Sequence, residues 1–170
     1  MKIITAKSKK GAVICYTYET LKGDDLKKPS IFLMGPTPRS KDVASWRPEA
    51  IKLLEEAGFD GVIYVPEYNK DADLAQKEAG KDWYEKQIEW EHHNLDYCYV
   101  ILAWVPREMK TMPALTTNVE FGFYVHNNSR VFYGRPDDAP NNKYLDYCYE
   151  KFTERKPANN LKSLVKKCMD

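Results

Sequence analysis

Ile31-Phe32-Leu33-Met34-Gly35-Pro36 is the stretch on which the fold turns. Four consecutive apolar side chains show no alternation, so both faces of the segment need cover, and a Gly-Pro pair ends it at the length of one strand. Working outward, the same pattern returns. Ser45 is placed to cap a helix with Pro48 in its first turn; Ile51, Leu53, Leu54 and Ala57 supply its apolar stripe and Gly58 stops it. Residues 61–65 form a second strand broken by Pro66. A polar loop follows from 68 to about 80, long enough to be functional. Asp82 opens a helix carrying Trp83, Ile88, Trp90 and Leu95, and residues 99–105 make a third strand stopped by Pro106. Thr116-Thr117 caps a helix from about 118 to 126. Residues 130–133 are a fourth strand ended by Gly134, and residues 141–170 are helical in two pieces split near Pro157. Ahead of all this, residues 1–20 read as a β-hairpin, with strands at 2–6 and 12–18 around the turn Ser8-Lys9-Lys10-Gly11.

Short apolar strands alternating with helices require crossover connections, hence an α/β fold with a parallel sheet and helices on both faces. Ligands in such sheets bind outside the carboxyl ends of the strands. Those ends carry Gly35-Pro36-Thr37-Pro38-Arg39, Pro66-Glu67-Tyr68, Pro106-Arg107-Glu108 and Gly134-Arg135-Pro136, a rim suited to an anionic or polar ligand.

The chain has 170 residues, the length of a single domain, 1–170. It is 43% hydrophobic and 30% charged, which excludes a disordered polymer or a collagen-like repeat. Twenty-six basic residues against 25 acidic ones give a formal charge of +1, too little excess for nucleic acid as the main partner. The last twenty residues hold six basic side chains and two acidic ones, a solvated helix face. No apolar stretch approaches the roughly 18 residues of a membrane span, and Met1 is followed by polar residues without a signal-peptide core. Four widely spaced cysteines form no CxxC pair, and Cys98, inside an apolar run, reads as a small buried hydrophobe. A reduced, cytoplasmic protein is the expectation.

The chemistry centres on Thr116-Thr117-Asn118-Val119-Glu120-Phe121-Gly122. A carboxylate just inside a helix start is kept ionised by free backbone N–H groups, as a nucleophile attacking a sugar carbon requires. The plainer alternative is a capped helix whose early glutamate only complements the dipole. Glu85, Glu89 and Glu91 form a second acidic cluster, and Glu89 and Glu91 point to different helix faces, so at most one reaches the rim. Trp83 and Trp90, seven residues apart, share a face and are either core or the wall of a pocket for a flat base. His92, His93 and His126 lack metal-ligand spacing. The Gly35–Arg39 loop matches no Walker or GxGxxG pattern; with Thr37, Arg39 and Arg47 it could hold a sugar hydroxyl, a phosphate or a base, or be a turn with surface arginines.

Taken in order, residues 31–37, Trp46-Arg47, Val65-Pro66-Glu67, Gln87-Ile88-Glu89-Trp90-Glu91, Trp104-Val105-Pro106-Arg107, the 116–122 segment and Gly134-Arg135-Pro136 resemble the nucleoside 2-deoxyribosyltransferase family, over about residues 30–136. The resemblance implies a flavodoxin-like sheet and a retaining mechanism. Glu120 attacks C1′ of a deoxyribose, the base leaves, and a second base or water collects the sugar. Glu91 matches the carboxylate that handles the base's proton. Gly35, Pro36, Thr37, Arg39, Trp46, Arg47, Glu67, Trp90, Arg107, Thr117 and Asn118 are the implied substrate-binding set. No metal and no cofactor is implied; the partners are a nucleoside or its 5′-monophosphate and a free nucleobase, and a homo-oligomer is expected. A carboxyl pair about 5 to 5.5 Å apart serves such a covalent route, and a 2-deoxy sugar ionises readily at C1′. Tyr99 stands where members often carry an aspartate, which keeps a catalytically silent nucleotide-binding module as the rival reading.

Overall fold

The computed structural model describes residues 6–7, 11–69, 71–126 and 130–170. Its strands are β1 (Ala6–Lys7), β2 (Val13–Tyr16), β3 (Ser30–Met34), β4 (Val62–Val65), β5 (Val100–Trp104) and β6 (Val131–Gly134). Its helices are α1 (Arg47–Glu56), α2 (Ala72–Ala79), α3 (Trp83–Tyr97), α4 (Leu115–Val125), α5 (Lys143–Thr153) and α6 (Leu161–Met169). The strands form one sheet in the order β1-β2-β4-β3-β5-β6. Its five parallel strands with helices are the α/β arrangement that the apolar runs and periodic stripes predict, and a flavodoxin-like fold as the resemblance implies.

The N terminus keeps the antiparallel pairing of the hairpin reading and adds a parallel neighbour to it. Residues 2–5 and the turn at 8–10 lie outside the described residues; β1 pairs antiparallel with β2, Ala6 opposite Ile14 and Lys7 opposite Val13. β2 itself belongs to the parallel sheet, with Val13 opposite Val62 and Tyr16 opposite Val65. The cause is burial: Val13, Ile14 and Cys15 are all inside, which an edge strand with one wet face could not provide. The polar loop over 68–80 also proves to contain a helix. Asp71 Oδ1 accepts the N–H groups of Asp73 (3.0 Å) and Leu74 (3.2 Å), which caps α2, and Gly80 ends it at φ 88°. No α2 residue is buried, and its few apolar side chains, Leu74 the one large member, stand among polar neighbours.

The chain comprises two compact units, Met1–Phe32 with Gly58–Tyr99, and Leu33–Ala57 with Val100–Asp170. In the first, Val13, Cys15 and Val62 form a buried cluster on which Leu21, Tyr64 and Trp90 pack. In the second, α1 packs on α6 and α4 on α5. Phe121, Tyr133 and Tyr149 stack in sequence with ring centroids 5.0 and 5.5 Å apart. The C-terminal helices divide around Pro157 as expected, and Lys162, Lys166 and Lys167 line the wet face of α6 opposite Leu161, Leu164 and Val165. Between them the chain returns along β6. Ala158 N–H donates to the Tyr133 carbonyl (3.0 Å), Arg135 N–H to that of Ala158 (2.9 Å), and an Arg155 Nη2 to that of Val131 (2.9 Å). Cys98 is buried, as its apolar surroundings predict. No described helix is long and apolar enough to cross a membrane.

Candidate functional site

Strand order reverses where the chain leaves β3 for β4 on one side and later returns to β5 on the other. The carboxyl ends of β3 and β5 flank that reversal, the place where such sheets leave a crevice. Gly35 follows β3 directly; a Cβ there would sit 2.2 Å from the Trp104 carbonyl oxygen, so only glycine fits. Trp46 Nε1 donates to the Pro36 carbonyl (3.1 Å). Arg47 is 1% exposed, and its guanidinium donates to the carbonyls of Leu33 (3.2 Å), Gly35 (2.6 Å) and Pro36 (3.5 Å) and to Thr37 Oγ1 (3.0 Å). The loop after β3 is thus clamped from within. Thr37 and Arg39 are its exposed members, and Arg39 N–H is tied to the Thr111 carbonyl at 2.9 Å.

Arg107, after β5, is likewise turned inward. It donates to Asn142 Oδ1 (3.1 Å), the Pro113 carbonyl (2.9 Å) and Asn118 Oδ1 (2.7 Å), and burial pulls its pKa down. Asn142, buried at the start of α5, and Glu108, which gathers the N–H groups of Lys110 and Thr111, complete this corner. Glu108 was visible in the sequence only as a member of the rim, and Asn142 did not stand out. Thr117 and Glu120 are buried on α4, Glu120 at 9% exposure.

The expectation that Thr116-Thr117 caps α4 and holds Glu120 at the helix start is corrected here. The cap is Ala114, in the left-handed region at φ 58°, without a side-chain hydrogen bond. Glu120 is therefore a full turn beyond the free N–H groups, outside the reach of the terminal dipole. Ser45 does serve α1, accepting the Arg47 N–H at 3.1 Å, although Trp46 occupies the cap position.

The first unit places Glu91 on α3 at 8% exposure, its carboxylate accepting from Gln87 Nε2 (2.9 Å). The Gln87 carbonyl in turn accepts from the Tyr68 hydroxyl (2.5 Å). Tyr18, with its ring 5.6 Å from Tyr68, has its phenol pKa pushed up by burial first, then by Tyr68 and the Glu91 charge. Glu67 is half-buried and its carbonyl accepts the Thr17 N–H at 3.0 Å. Glu89 and Glu91 do take different faces: Glu91 is buried with Asn94 and Leu95, and Glu89 is exposed.

Glu89 lines a cavity of about 600 Å³ bounded by α2, α3 and the segments that follow β2 and β4. Trp90 is on its wall, with Nε1 donating to the Glu19 carbonyl (2.8 Å) and its ring packed on Phe32 and Tyr64. Trp90 is thus at once core support and pocket wall. Glu19, which the sequence reading passed over just beyond the strand at 12–18, is buried; it accepts from Tyr16 N–H (2.8 Å) and Asn69 Nδ2 (3.2 Å).

Tyr99 precedes β5, and its N–H donates to Ser30, the first residue of β3. It therefore lies at the amino end of the strands and not on the rim. Its side chain is 65% exposed. The three histidines are also exposed, and among the described residues no group of His, Cys, Asp or Glu is placed to hold a metal ion.

No curated protein matches the chain. The family model described as nucleoside 2-deoxyribosyltransferase like matches residues 28–138. That span runs from just before β3 to just past β6 and takes in the clamped loop, Glu91, Arg107 and Glu120. With well over half its length matched, and with the flavodoxin-like sheet that such a span builds, the chain belongs to the nucleoside 2-deoxyribosyltransferase-like family.

Proposed function

We propose that the protein cleaves the N-glycosidic bond of 2′-deoxynucleosides and passes the deoxyribosyl group to another nucleobase. A Glu120 carboxylate oxygen forms a bond to C1′ as the C1′–N bond breaks. The bonding pair leaves with the base, which takes a proton from Glu91. In the second half a nitrogen of the incoming base attacks C1′, its proton returns to Glu91, and the Glu120 carboxylate is released. Water in place of the acceptor base gives hydrolysis. The observation that supports this reading best is Glu120 itself, a buried carboxylate within the family match, two residues from an asparagine that Arg107 holds at 2.7 Å.

Gly35, Pro36 and Thr37, clamped by Trp46 and Arg47, serve as a preformed wall for the sugar; Glu67, Thr117 and Asn118 complete the substrate contacts. The inward engagement of Arg47 and Arg107 leaves Arg39 as the exposed guanidinium of the three, which favours a nucleoside over its 5′-monophosphate. Tyr99 lies at the other strand end, so it gives no support to a silent module. Release of free base from the four deoxynucleosides, followed by chromatography with and without acceptor base, tests the reading. Glu120→Gln is expected to lose activity by roughly a thousandfold or more while keeping its melting temperature. Undiminished turnover overturns the assignment. Thymidine is expected to be used at least as well as its monophosphate, and a strong preference for the phosphorylated form overturns the nucleoside reading.

A further inference from the structure

The inner face of α4 buries Thr117, Glu120, Phe121 and Val125. Its outer face exposes Leu115, Thr116, Val119, Gly122 and Phe123, with the three large apolar side chains 61%, 57% and 67% exposed. None of these exposed positions is charged. Every other α-helix shows at least two charged side chains on its exposed positions; α1 has Glu49, Lys52 and Glu56, and α6 has Lys162, Lys166 and Lys167. An outer helix face that is apolar and uncharged is one made to be covered.

Gly122 gives an independent reason. A glycine inside a helix weakens it relative to alanine, yet a Cβ at Gly122 would meet no atom within 4 Å, so nothing in the chain itself requires the missing side chain. A backbone arriving from outside would require it. The strip continues onto α5, which packs on α4. The His126 ring lies 4.5 Å from that of Phe152, and the Lys151 ammonium sits over Phe152 (5.6 Å) and Tyr147 (5.7 Å), itself 61% exposed. Leu115, Val119, Phe123 and Tyr147 together offer on the order of 500 Å², the larger part of the roughly 800 Å² that each partner of a stable complex gives up.

These features fit a second copy of the chain. The strip holds both a recess, at Gly122, and the side chains able to fill one, Val119 and Phe123, so it is complementary to itself about a two-fold axis. Two uncharged faces meet without burying like charges, whereas a partner recognised by its charge would find nothing on α4 to pair with. We propose that the outer face of α4 is an isologous dimer interface, in which α4 of one copy crosses α4 of the other at Gly122.

Sedimentation equilibrium of the full chain tests this without substrate, so the outcome is independent of the glycosyl-transfer reading. At high micromolar concentration the wild type is expected at twice the mass of one chain. Val119→Glu, which sets a carboxylate in the strip, is expected to weaken dimerisation at least a hundredfold with an unchanged far-ultraviolet spectrum, since Val119 is exposed in the single chain. Leu26→Glu, the same kind of change at an exposed leucine of the other compact unit, is expected to leave the dimer intact. Gly122→Ala is expected to weaken association at least tenfold while the diluted monomer keeps or gains helical signal; a glycine needed only for folding would lose that signal. A monomeric wild type overturns the proposal and gives the face to a different protein. Wild-type association in Val119→Glu or Gly122→Ala, or equal disruption by Leu26→Glu, overturns it and puts the contact elsewhere.

Discussion

At Arg47 one guanidinium meets three backbone carbonyls and a threonine hydroxyl, with its Cζ 4.9 Å from the centroid of the Trp46 ring. Arg47→Lys keeps the charge but not the fork, and leaves buried carbonyls unmet. The expected cost is about 2–4 kcal/mol, read as a lower urea midpoint at unchanged slope. Gly35→Ala is expected to cost more still, because the intruding atom meets a backbone oxygen that cannot swing aside. The sequence made Gly35, Arg47, Arg107 and Glu120 visible as candidates, but not what they touch. A buried arginine and a surface one are written with the same letter, and only packing separates a phosphate ligand from an internal clamp. Glu120 was misplaced within its helix for a similar reason, since an alanine taking up φ 58° has no signature in composition or spacing.

At the scale of elements, strands with apolar runs, helices with buried stripes and the antiparallel pairing of β1 with β2 were legible, and α2 and the parallel pairing of β2 with β4 were not. α2 packs against α3 with an exposed surface, so periodicity had nothing to report; its start was nevertheless written in Asp71. Asp71→Ala removes the acceptor for two N–H groups and is expected to destabilise α2 by about 1 kcal/mol. Hydrogen exchange over residues 72–79 should quicken severalfold while β3 and β5 keep their protection. Equal change everywhere would mean that α2 does not open by itself. β2 and its antiparallel neighbour were read from the turn and the β-branched residues around it, whereas its second, parallel neighbour β4 shows only in the burial of Val13, Ile14 and Cys15.

For the whole molecule, the near-balance of charge conceals a set of buried acids. Burial, then Glu19, pushes the Cys15 thiol up to about 12; burial does the same for Cys168, up to about 12, and burial followed by Cys15 and Cys98 takes Tyr64 to about 12. Tyr18 and Tyr133 move in the same direction, chiefly by burial. These groups stay protonated in the folded chain at pH values where the unfolded chain has begun to lose those protons. Stability is therefore full below about pH 9 and falls as pH rises from there toward 12, by about 1.4 kcal/mol per pH unit for each fully buried group. Denaturation midpoints between pH 7 and 11 should hold steady and then drop steeply; a flat profile to pH 11 would mean that these side chains are wetter than their packing indicates.

The return of the chain along β6 bears on how this protein behaves in company. A sheet that stops at an uncovered strand offers a ladder on which another molecule can climb, and long-lived fibrils begin that way. Here residues 155 and 158 already occupy the rungs of β6. Nicking the backbone ahead of Arg155 would vacate them, and turbidity or thioflavin fluorescence should then report solutions that cloud on standing, where the intact chain remains clear.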